Sequence, residues 1–227
     1  MELETFWAWL TDPAHWQGSD GIPARVGQHL ALSGVGLLLA AAIALPPGVL
    51  LGHFRKGAGL VINVANVGRA LPSLAILALV LPIAFRFGLG LGFWPTVLML
   101  VPLGVPLILI NAYVAVTAVD RDVVDVAHGL GMRDGEVLRD VELPLAAPLI
   151  VAGLRNAAVT IVATATLGAL VASGGLGRYI VDGLARQDTP RLVAGAVLVA
   201  LLSAATELAF NVVERLSVPA GVRHAGE

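Results

Sequence analysis

Uncharged or nearly uncharged apolar runs, each long enough to cross a bilayer, recur along this 227-residue chain, and that recurrence limits its fold more than any other feature. A hydrocarbon core about 30 Å thick takes ~20 helical residues at ~1.5 Å rise each. Runs of this length lie near residues 30–51, 60–83, 91–116, 144–171 and 192–213. Inside hydrocarbon every backbone N–H and C=O needs an internal partner, so runs this long must be helices. The expectation is an all-α polytopic membrane protein with about five transmembrane helices. A 57% hydrophobic and 13% charged composition, with mean hydropathy +0.86, excludes a water-soluble fold that could hide its apolar surface.

The interruptions within the runs are as informative as the runs. The second contains Arg69 and Pro72, which predicts a broken helix whose freed carbonyls are satisfied inside a bundle. Pro102 and Pro106 bend the third and fall on one face. Residues 1–28 mix acids with Phe6, Trp7, Trp9 and Trp16 and read as an external, interfacial lead-in, because indole rings favour the headgroup level. The bundle then occupies residues 29–214, and residues 215–227 form a tail. The acids Glu2 and Glu4 stand where a signal peptide would be basic.

Five crossings put the termini on opposite sides. With the Arg55–Lys56 loop inside, seven of the 14 Lys and Arg residues lie inside, five outside and two, Arg69 and Arg155, within spans. This sets the N-terminus outside and the C-terminus in the cytoplasm. A net charge of −2 and scattered basic residues give no footprint for nucleic acid, and the absence of cysteine excludes disulfide and thiol chemistry. There is no H-E-x-x-H, no G-x-S-x-G and no carboxylate pair within a span to support hydrolysis, so neither an enzyme active site nor a metal site is expected.

The longest polar connection, residues 120–144, reads DRDVVDVAHGLGMRDGEVLRDVELP. Val123, Val126, Ala127 and Leu130 fall at helical spacing on one face. Gly131 suits a left-handed helix end, Asp134 suits the cap of a second helix, and Pro144 suits the first turn of the fourth span. A short surface helix with an exposed apolar stripe needs a partner.

The spacing Asp125-Val126-Ala127, three residues, Gly131, nine residues, Val141-Glu142-Leu143-Pro144 resembles the EAA loop of type I ABC importer permeases, E-A-A-x3-G-x9-I-x-L-P. The chain departs from it at Asp125 for glutamate and at Val126 for alanine. Further stretches, Ala70 to Ala75, VELPLAAP at 141–148, Ala152 to Arg155 and Gly174-Gly175-Leu176-Gly177, resemble glycine betaine, carnitine and choline permeases. The resemblance implies a coupling helix that docks on a cytoplasmic ATPase, with ATP and Mg held on that partner and no cofactor on this chain. It further implies an external substrate-binding protein, a second permease copy or sister permease, and the inner membrane of a prokaryote. Methionine-type permeases share the fold. A stand-alone secondary transporter is the alternative of another class, but neither inverted repeats nor an acid relay is visible.

Arg69 and Arg155 each cost ~2.5 to 3.5 kcal/mol near mid-span unless they find a polar partner or water. Glu207 is the one carboxylate assigned to a span, and it is expected to pair with Arg69 or Arg155. The competing expectation is that each arginine snorkels to the headgroups independently. Asn156 and neighbouring hydroxyl residues are candidates for a translocation path or for interhelical hydrogen bonds.

Overall fold

The computed structural model describes residues 2–217, which contain helices and no strands. Its helices are α1 (Glu2–Thr11), α2 (Ile22–His53), α3 (Ala58–Ala70), α4 (Ser73–Arg86), α5 (Phe93–Thr117), α6 (Arg121–Gly129), α7 (Asp134–Val137), α8 (Leu143–Thr164), α9 (Gly177–Arg186) and α10 (Thr189–Ser217). A π-helical stretch, Leu138–Glu142, joins α7 to α8, and a 3-10 segment, Ala165–Val171, extends α8. Residues 218–227 of the expected tail lie outside the described residues.

Four of these helical stretches are long and apolar enough to cross a membrane, and α3 with α4 make a fifth if the pair forms one span. The pair bends by 94° where Leu71 and Pro72 interrupt it, at the break expected from Pro72. The first long helix starts at Ile22, eight residues before the apolar run itself, because Pro23 sits in its first turn, where a missing N–H costs nothing.

Helix α5 is the central strut. It is apolar all round and packs against α2, α3, α4 and α8, with Met99, Leu100, Ile108 and Val116 fully enclosed. Its closest partner, α2, presents Gly36, Ala40, Ala44, Gly48 and Gly52 at four-residue intervals, all buried. A Cβ on Gly48 would meet the Leu109 carbonyl oxygen and Ala112 Cβ at 2.9 Å, so the two backbones touch where lipid offers no hydrophobic force to hold helices together. Helix α10 packs on α8 and α9 and leaves Leu201, Leu208, Val212 and Leu216 exposed, as a face against lipid or another chain requires.

The two ends of the bundle are distinct. At one end α1, α9 and the glycine turn meet: Tyr179 Oη donates to the Asp20 carbonyl at 2.6 Å, and Trp9 meets the Tyr179 ring edge-on at 5.4 Å. Gly175 N–H donates to Gln28 Oε1 at 2.9 Å, while buried His29 takes the Leu176 N–H on Nδ1 and donates from Nε2 to the Val162 carbonyl at 2.8 Å. The other end carries the α2–α3 turn and residues 119–142.

Candidate functional site

At that second end, α6 is built by local rules. Asp120 caps it, its carboxylate accepting the Asp122 N–H at 3.0 Å. It ends at Gly131, whose φ of +89° puts it in the left-handed region, and Met132 N–H closes back on the Ala127 carbonyl at 3.2 Å. The second helix does not start as expected: Asp134 is its first residue rather than its cap. Glu136 reaches back to accept the Arg133 N–H at 2.7 Å, which frees the Asp134 carboxylate to hold His128 Nε2 at 3.0 Å. His128 Nδ1 meets the Val124 carbonyl oxygen at 3.0 Å, so both ring nitrogens face acceptors, and the Asp134 hydrogen bond raises the imidazole pKa above its ordinary 6.5.

The expected single apolar face of α6 is split in two. Ala127 is buried and Val124 packs on a cluster of Ala115, Val116, Val119 and Ala146, which seats the helix on the ends of α5 and α8. Val123, Val126 and Leu130 point away from the chain, with Val126 63% and Leu130 79% exposed. The apolar arc is wider than the bundle can cover. Asp125 and Gly131 lie on the exposed side, whereas Val141 and Leu143 are half-buried and Pro144 opens α8 on the surface.

Glu142, which lies within the Val141 to Pro144 stretch, is buried at 1% exposure and bonded to His53 Nδ1 at the end of α2. Close by, Arg55 Nη2 donates to the Val119 carbonyl at 2.7 Å. These partners are 89 and 64 residues apart, and no local signal pairs them.

Farther from that end lies a charge cluster. Arg155 of α8 approaches Glu207 at 3.4 Å and Glu214 at 2.8 Å, and it donates to Asn211 Oδ1. Glu207, Asn211 and Glu214 stand four and then three residues apart on one face of α10, a spacing that could have shown the cluster in the sequence. Of the two candidate arginines it is Arg155 that meets Glu207. Asn156 is exposed and stands outside the cluster. Arg69 has no ion pair or hydrogen bond among the described residues and lines a cavity of about 330 Å³ with Ser73, Pro106, Thr160 and Thr164.

A bundle of long apolar helices with a capped, partly uncovered amphipathic helix between α5 and α8 has the make-up of a multi-pass membrane protein. Residues 36–217 match the family described as binding-protein-dependent transport system inner membrane component, and the chain belongs to it. It is thus a transport subunit and not itself an enzyme. It is 37% identical over 200 residues to the choline transport system permease protein OpuBB of Bacillus subtilis, covering 88% of this chain and 90% of that one. It is equally 37% identical over 199 residues to the glycine betaine/carnitine/choline permease OpuCB of Bacillus subtilis, covering 88% and 89%. Among solved structures, an inward-facing MetNI methionine ABC transporter has a chain that superposes with a TM-score of 0.79 at 23% identity, over 92% of this chain and all of that one. This last likeness concerns the fold.

Proposed function

We propose that this chain is the membrane-spanning permease of an importer for small osmoprotectants such as choline, glycine betaine or carnitine, driven by a separate ATPase. The observation that carries the coupling part is the uncovered face of α6, Val123, Val126 and Leu130, on a helix anchored through Val124 to the ends of α5 and α8. A rigid amphipathic helix with an exposed apolar face suits docking in a groove of a partner. ATP and Mg belong to that partner, and closure of two ATPase copies would rock the spans between inward-open and outward-open states. Substrate identity draws on the named relatives.

In this reading Asp125, Val126, Ala127, Gly131, Val141, Leu143 and Pro144 form the coupling segment and face the cytoplasm with the C-terminus, and the N-terminus lies outside. An external binding protein then meets the α1–α9 end, where a polar cavity of about 430 Å³ is walled by Trp9, Arg25, Arg178, Tyr179, Asp182 and Arg191. A second permease copy or sister chain covers the exposed apolar faces that lipid does not. Arg69 with Ser73, Thr160 and Thr164 lines the path, whereas Arg155, Glu207, Asn211 and Glu214 lock α8 to α10.

The test is reconstitution of the complete complex in liposomes with its binding protein. ATP-dependent uptake of labelled choline or glycine betaine is the expected result. Uptake that continues without ATP, from a chain that purifies without an ATPase, would reject the reading in favour of a secondary transporter.

A further inference from the structure

Two long-range polar contacts leave the same turn and reach the two stems of the coupling segment. His53, the last residue of α2, bonds Glu142 where the segment enters α8, and both side chains are buried. Arg55, two residues on, donates to the Val119 carbonyl where α5 gives way to α6. The chain itself ties the segment to α5 and α8; these contacts add α2, to which the segment has no nearby covalent link.

The local backbone is arranged for both contacts. Leu138–Glu142 is π-helical, and one wider turn inserted before α8 re-aims the residues that follow, a feature concentrated at functional positions. Here it turns Glu142 inward between half-buried Val141 and Leu143. Arg55 has φ of +50°, at the helix exit where glycine is the usual occupant. An L-residue is strained there, and the guanidinium bond to Val119 offers what glycine cannot. The His53 ring also meets Phe54 edge-on at 4.9 Å, which fixes its orientation.

We infer that His53 and Arg55 form a two-point clamp that makes α2 move with the coupling segment, so that a push on α6 reaches three spans rather than two. Both are positioning residues, since neither touches substrate or nucleotide. Helix α2 lies along α5 through glycine and alanine contacts, and the two polar contacts tie its end directly to the segment as well. The inference rests on the coupling role proposed above for residues 120–144.

The experiment uses the whole complex in liposomes and reads choline uptake and binding-protein-stimulated ATP hydrolysis side by side. His53→Ala and Arg55→Ala should each leave hydrolysis within about twofold of the wild type and lower uptake per ATP by about tenfold, inside the usual range of coupling between sites. His53→Asn, which keeps a donor near Nδ1, should recover most of that ratio, a rescue that a merely structural defect would not predict. Should His53→Ala fail to assemble, Glu142→Ala and Arg55→Ala carry the same comparison. An unchanged uptake-to-hydrolysis ratio in these variants, or uptake and hydrolysis falling in proportion, overturns the clamp. Val126→Asp is the separating control: if it leaves hydrolysis and uptake untouched, the coupling segment itself fails, whereas its loss of both beside normal ratios in the clamp variants removes the clamp alone.

Discussion

Two short amphipathic helices lie at opposite ends of the bundle, and they treat their apolar faces differently. Helix α9 turns its face onto its own chain: Leu176 just before it is fully enclosed, Tyr179 is 3% exposed, and both pack with Ile22 and Val199. Helix α6 buries Ala127 and leaves Val123, Val126 and Leu130 outside. Nothing in the periodicity of either helix separates them. An intramolecular partner makes α9 part of the fold, whereas the outer face of α6 stays uncovered among the described residues, the feature on which the proposed docking rests.

The sharpest way to break that contrast is a charge on each helix. Val126→Asp with Leu130→Asp should abolish association with the ATPase, since each buried, unpaired carboxylate costs about 3 kcal/mol, roughly 100-fold in affinity. Thermal unfolding of the permease alone should be unaltered; a large fall would mean that the α6 face is packed within the permease after all. Tyr179→Ala should do the reverse, destabilising the permease by about 3 kcal/mol through lost aromatic burial while leaving ATPase binding intact. Detergent melting and pull-down assays on the same preparations read both outcomes.

A smaller effect sharpens the picture of α9. Tyr179→Phe removes one hydrogen bond to the Asp20 carbonyl and should cost about 1 kcal/mol, measurable as a shift of a few degrees in melting. A cost equal to that of the alanine variant would place the stability in the hydroxyl rather than in the ring.

The smallest effect is pH-dependent and belongs to α6. His128 has a raised pKa, owing first to its bond with Asp134, so its contribution is complete below the unfolded value and is lost as pH rises through the higher folded one. The ring is exposed, so screening keeps the effect small. Proton NMR of the His128 ring should show its pKa falling towards the ordinary value in Asp134→Asn, and stability should decline only slightly as pH rises through the raised value.

How much could be read in advance follows the range of the interactions. The apolar runs, the break at Pro72 and the left-handed Gly131 were legible because each is dictated by neighbours within a few residues. Asp134 suits a cap by sequence, but Arg133 with Glu136 closes the same turn, and the two arrangements differ by one residue in register. The sequence leaves Glu207 with Arg69, Arg155 or neither as its partner; packing of α8 on α10 brings Arg155 to it and gathers Asn211 and Glu214 as well.

By itself the sequence determined that this is an all-helical chain made for a bilayer, with a capped amphipathic helix after residue 120, because hydrocarbon enforces helices and short-range chemistry sets their ends. Tertiary structure alone decided which apolar faces stay uncovered, which arginine Glu207 joins, and that His53 and Arg55 reach both ends of the α6–α7 connection. The physical reason is distance along the chain: helical periodicity says that a face must be covered or a charge paired, but the partner is chosen by how whole helices pack against one another.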